Sequence, residues 1–145
     1  MYSSFIRYSV FILVLSAFSA CSGIGNDFEK VYYERITGIK FPEKYKVLET
    51  FDNGEWLTGT VFEVDSSILR RFIIVNHFDA FTLKDRPNLN IFNVGYFKLR
   101  IPDAKNIDNL FIVARSKDKN NWTYLADMAS NRLWAVISYP DWGGR

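Results

Sequence analysis

Two hydrophobic periods alternate along the chain. Phe28, Val31, Tyr32, Arg35 and Ile36 recur at i, i+3, i+4, i+7 and i+8, which predicts a helix with Arg35 the only polar member of that face. Asn26, with Glu29 three residues later, makes a capping-box pattern at its start. Gly38 supplies the stop, and Pro42 prevents early resumption. Asp65-Ser66-Ser67 opens a second helical pattern, in which Ile68, Leu69, Phe72, Ile73 and Val75 form a broad apolar surface. The run Phe72-Ile73-Ile74-Val75 also fits a buried strand; the Asp-Ser-Ser cap favours the helix.

Between the two helices the period drops to two. Asp52-Asn53-Gly54-Glu55 carries the Asn-Gly pair of a two-residue hairpin turn. That turn pairs Phe51 with Trp56, Val47 with Thr60 and Tyr45 with Phe62, and it sends Glu49 to an apolar face opposite Thr58. The stretch 77–94, with Pro87 and asparagines at 88, 90 and 93, predicts an irregular connection. Beyond it the pattern is β. Gly95 to Ile101 alternates, Leu110 to Arg115 is nearly continuously apolar as in a central strand, and 117–121 is a polar turn. A last hairpin, turning at Ser130-Asn131, pairs Trp122 with Tyr139, Tyr124 with Ile137, Ala126 with Ala135 and Met128 with Leu133. Pro140 ends the strand and leaves a flexible tail. The predicted fold is α+β: an antiparallel sheet of five or six strands with two helices packed on one face.

The first twenty residues follow another rule. Arg7 and the amino terminus are weakly positive, Tyr8 to Leu15 are mostly apolar, and Ser16 to Ala20 are mostly small. This is the three-part pattern of an export signal, and it is shorter than the roughly 20 apolar residues a membrane-spanning helix needs. Phe18-Ser19-Ala20-Cys21 resembles the lipobox of bacterial lipoproteins, with Phe18 where leucine is usual. The resemblance implies cleavage before Cys21 and lipidation of that residue, the chain's only cysteine. Ordinary cleavage after Ser19, with Ala17 and Ser19 as the small pair, is the competing reading. It would leave an unpaired thiol in an oxidising compartment. The implied organisation is a signal peptide at 1–20, a lipid-anchored tether at 21–25 and one globular domain at 26–145. Ser22 after the cysteine implies, by the same resemblance, the outer membrane on its periplasmic side.

Charge narrows the function classes. Of eighteen Lys and Arg only Arg7 precedes Cys21, and all sixteen Asp and Glu follow it, so the net charge after residue 20 is +1. That balance lacks the positive field of non-specific nucleic-acid binding and leaves membrane attachment to the lipid on Cys21. No cofactor or metal is expected, since His77 is the only histidine and CxxC and Asp-rich loops are missing. His77, with Asp79 nearby, and Glu49 are the candidates for a small envelope hydrolase. Against that, a histidine just after a helix fits a helix terminus, and no second inward acid accompanies Glu49. Asn121-Trp122-Thr123 has the glycosylation pattern but reads as a hairpin turn. Leu125, Trp134 and Val136 line the second face of the last hairpin, and Trp142 lies in the tail. Exposed, Trp134 and Trp142 would mark a partner-binding patch; covered by a helix or by the long connection, that face would be core. The resulting expectation is a non-enzymatic, lipid-anchored interaction module of the cell envelope, as an inhibitor or immunity factor. The alternatives are the hydrolase and a structural envelope lipoprotein.

Overall fold

A computed structural model describes residues 28–92, 98, 101 and 107–139. Their order is α1 (Lys30–Thr37), β1 (Lys46–Asp52), β2 (Leu57–Glu63), α2 (Ser66–Val75) and β3 (Asp79–Ala80). A 3-10 stretch (Leu83–Phe92) and a second, shorter one (Ile107–Asn109) lead into β4 (Leu110–Lys117), β5 (Asn120–Asp127) and β6 (Arg132–Ser138). The six strands form one sheet in the order β1-β2-β6-β5-β4-β3, antiparallel throughout. The fold is α+β with six strands. The expected strand over Gly95 to Ile101 lies largely outside the described residues.

Both faces of the sheet are covered. Phe62, Tyr124, Ala126, Leu133, Ala135 and Ile137 form one inner face, packed beneath Tyr33, Leu69, Phe72 and Ile73 of α1 and α2. The opposite face, built on Val61, Leu125, Trp134 and Val136, lies beneath Phe81, Leu89 and Phe92 of the long connection. The helical cover therefore differs from the expectation of two helices alone. A ten-residue 3-10 stretch containing Pro87 shields the second face. It buries Leu89 and Phe92 and packs Ile91, partly buried, against the same cluster, which its weak hydrophobic pattern does not announce.

The helix ends explain themselves chemically. Asp65 caps α2 by accepting from the Ser67 amide (2.9 Å) and hydroxyl (2.6 Å), which together hold its carboxyl below the usual range. At the other end of α2 the His77 amide donates to the Ile74 carbonyl and the Phe78 amide to the Ile73 carbonyl. Phe78 folds back onto Phe72, with rings 5.5 Å apart. This is a Schellman termination with His77 in the left-handed position, at φ +54°. Helix α1 stops at Gly38, φ +71°, whose amide donates to the Glu34 carbonyl. Its start differs from the expectation: the residue before Lys30 is Glu29, which makes no side-chain cap, and Asn26 lies outside the described residues. Its buried positions are Tyr33 and Thr37, whereas Val31 is 70% exposed.

Register departs from turn chemistry in both hairpins. The Asn53 side-chain oxygen accepts from the amides of Glu55, Trp56 and Leu57 (3.0, 2.9 and 2.9 Å). Asp52 accepts from Gly54 (2.7 Å). Those bonds hold a wider loop than two residues, so Asp52 pairs with Thr58 and Phe51 with Gly59. A bulge at Leu48 then places Val47 opposite Phe62, not opposite Thr60. In the last hairpin a four-residue loop follows Asp127, whose carboxylate accepts from the Ala129 amide and the Ser130 hydroxyl. Trp122 accordingly pairs with Ile137, Tyr124 with Ala135 and Ala126 with Leu133. Among the described residues strand β4 is next to the edge rather than central, with the two-residue β3 beyond it. Its outer half, from Ala114 to Lys117, is exposed.

Candidate functional site

The residues singled out from sequence do not converge on one place. Cys21 and Trp142 lie outside the described residues. Trp134 is fully buried, beneath the connection, and so presents no surface to a partner. That corrects the expectation of a partner patch there; the indole is core because the 3-10 stretch covers its face. Glu49 pairs with Val61 on the same face, where its carboxylate accepts from the Lys98 backbone amide at 2.7 Å. Its inward placement thus serves the connection, tying a loop amide that would otherwise lack this partner. His77 is exposed and terminates α2. Asn121 is exposed on β5, immediately after a turn whose Asp118 and Lys119 both have positive φ.

Among the described residues, side chains do converge on two open clefts. The first, of about 430 Å³, runs between α2 and the segment joining α1 to β1. Lys40, Lys44 and Arg71 line it with Glu43 the single acid, and Pro42, Ile68 and Val75 give it apolar walls. The joining segment is held firmly in place. Glu34 accepts from the Phe41 amide at 2.8 Å and meets the ammonium groups of Lys30 (3.9 Å) and Lys40 (3.5 Å). Thr37 accepts from the Ile39 amide at 3.1 Å while donating to the Tyr33 carbonyl at 2.8 Å. Phe41 then sinks into an aromatic cluster, with ring centroids 5.2 Å from both Phe28 and Phe62. The lysines therefore project from an ordered base.

The second cleft, of about 420 Å³, is opposite in character. Tyr32, Asp52, Glu55, Asn120 and Tyr139 line it, so its formal charge is negative. The Tyr32 and Tyr139 hydroxyls are hydrogen-bonded to one another. Burial, and then that bond, push the Tyr139 phenol well above its ordinary value, so it stays protonated through the physiological range. Neither Glu49 nor His77 lines either cleft. Sequence reading missed both clefts because their linings come from segments far apart in the chain.

Among the described residues no group of three or more His, Cys, Asp or Glu is placed to hold a metal ion. No helix among them is long and apolar enough to cross a membrane. Compared with protein-family models, with curated proteins and with solved structures, the chain gives no match.

Proposed function

We propose that this is a lipid-anchored protein of the bacterial cell envelope, exported by residues 1–20 and acylated at Cys21, whose domain acts as a non-enzymatic interaction module. An inhibitor or immunity factor is the role that fits, at the outer membrane on its periplasmic side. The observation that carries the proposal is the sequence Phe18-Ser19-Ala20-Cys21 at the junction between an apolar leader and an ordered domain. Supporting it, Glu49 and His77 both have structural tasks, one holding the Lys98 amide and the other ending α2. The acidic cleft lined by Tyr32, Asp52, Glu55, Asn120 and Tyr139 is the surface on which a partner would act.

The test joins chemistry at Cys21 to partner capture. Cells expressing the full chain are fed a labelled fatty acid, and the Cys21→Ser variant is run beside it. Label on the parent and none on the variant is the expected result, together with a shift of the variant from membrane to soluble fractions. A parent that never takes up label overturns the anchor. Cross-linking in intact cells should recover one protein in near-stoichiometric yield; repeated recovery of none overturns the interaction role.

A further inference from the structure

We infer that the outer face of α2, with the segment carrying Lys40 and Lys44, is a contact surface for an anionic phospholipid bilayer. The helix buries Leu69, Phe72 and Ile73, and a quarter-turn stagger places Arg70, Arg71, Ile74 and Val75 on the other side. Ile74 and Val75 are 67% and 60% exposed, two of the most exposed large apolar residues described. Lys40 and Lys44 stand across the cleft from Arg71 and Val75. Lys40, Lys44, Arg71 and Val75 border the cleft, and Arg70 and Ile74 continue along the outer face of α2; Glu43 opposes the cations locally, and Glu34 pairs with Lys40 at 3.5 Å.

The mixture selects the occupant. A soluble acidic ligand or an acidic protein surface takes up the charges but has no use for Ile74 and Val75. A bilayer interface takes both: aliphatic side chains enter the headgroup boundary while arginine and lysine stems extend to the phosphates. Each basic residue near an anionic surface contributes attraction that decays within a Debye length, so the local cluster matters and the overall balance of +1 does not. The inference does not depend on acylation of Cys21, and its test is made with that residue removed.

The full chain carrying Cys21→Ser and Val75→Cys, labelled at position 75 with an environment-sensitive fluorophore, is mixed with vesicles. One set is phosphatidylcholine alone; the other is about one third phosphatidylglycerol, and both carry a nitroxide lipid. The same fluorophore at Lys117→Cys, at the exposed end of β4, is the comparison. The expected result is strong nitroxide quenching at position 75 on anionic vesicles, weak quenching on neutral ones, and little at 117 on either. Adding Arg70→Glu and Arg71→Glu should weaken partition onto anionic vesicles at least about 25-fold, since each lost charge is worth about fivefold. These side chains are exposed, so the thermal transition should not move. Equal quenching at 75 and 117, equal quenching on both vesicle types, or an anionic preference that survives the double charge reversal each overturns the inference.

Discussion

The two faces of the sheet are built by different means. Beneath α1 and α2 the core is aromatic and carries a buried set of hydroxyls. Phe28, Phe41, Tyr45 and Phe62 meet edge to face or tilted, at centroid separations of 4.7–6.5 Å. The Tyr33 hydroxyl lies 3.3 Å from that of Thr58 and 3.2 Å from that of Thr60, while Tyr124 donates to Thr37 at 3.3 Å. Beneath the long connection the buried core is mainly aliphatic, with Phe81 and Phe92 beside Trp134. A regular helix satisfies its own backbone and can place a tyrosine or threonine at a fixed height above the sheet. A connection rich in 3-10 structure holds by apolar insertion instead. Beneath the helices geometry is set by a buried hydroxyl network, whereas beneath the connection it is set mainly by volume, with the Glu49–Lys98 bond holding the connection at its margin.

The largest expected effect follows from volume. Trp134→Ala removes the largest side chain of the second face, where every neighbour is packed and solvent cannot fill the space. A loss of about 3–5 kcal/mol is expected from chemical denaturation, with the connection more accessible to protease. A loss under about 1 kcal/mol would mean that the connection collapses into the gap, and that the two faces differ less than their packing implies.

Alkali should separate the faces next. Burial dominates the upward shift of both Tyr33 and Tyr124, whose hydroxyl partners only partly offset it. In the folded chain these phenols keep their protons above pH 10, whereas in the unfolded chain they ionise near that value. Above about pH 10 the unfolded state therefore binds fewer protons, and stability must fall as pH rises. Each such tyrosine steepens the fall by about 1.4 kcal/mol per pH unit. Below pH 10 their contribution is constant. Tyr124→Phe should cost about 1 kcal/mol at neutral pH through the lost hydrogen bond, and should make the alkaline slope shallower. Unfolding curves from pH 8 to 11.5 on both proteins check this; identical slopes would show that Tyr124 is not protected by burial.

How much of this was legible depended on whether an error was even or odd. In the last hairpin the structural register lies two residues from that of a turn centred on Ser130-Asn131. Side chains alternate with period two, so every inward residue stayed inward: Trp122, Tyr124, Ala126, Leu133, Ala135 and Ile137 all reach the helix face. In the first hairpin the turn-based pairing is three residues out, which exchanges faces, and only the bulge at Leu48 returns Val47 to the inner face, opposite Phe62 rather than Thr60. Nothing in the Asn-Gly signal announces that Asn53 will bind three amides and widen the loop. For a related reason the predicted stripe of α1 holds only in part: Phe28, Tyr32 and Ile36 pack against the helix-side core, but Val31 does not. Tyr33 and Thr37 look polar by type, yet they are the inward pair because the core supplies them with hydrogen bonds, and Val31 is left in water. The basic cleft was invisible because Lys40 and Lys44 meet Arg71 only after folding, and a charge total averages such a cluster away.

The smallest effect concerns how the two helices over the same face end. Both turn into the left-handed region, α1 at Gly38 and α2 at His77, with φ of +71° and +54°. For an L-residue that conformation costs roughly 1–2 kcal/mol relative to a right-handed one, whereas glycine occupies it freely. Glycine in turn loses more backbone freedom on folding, which returns about 0.5–1 kcal/mol of the difference. His77 is exposed, so replacing its side chain leaves no cavity. His77→Gly should therefore stabilise the domain by about 0.5 kcal/mol. Gly38→Ala should destabilise it by about 1 kcal/mol; an added Cβ there meets nothing within 4 Å, so the loss comes from backbone strain alone. Thermal melts of the two variants beside the parent should move in opposite directions. If His77→Gly lowers the melting temperature, then the imidazole contributes to the end of α2 in a way that its left-handed backbone alone does not explain.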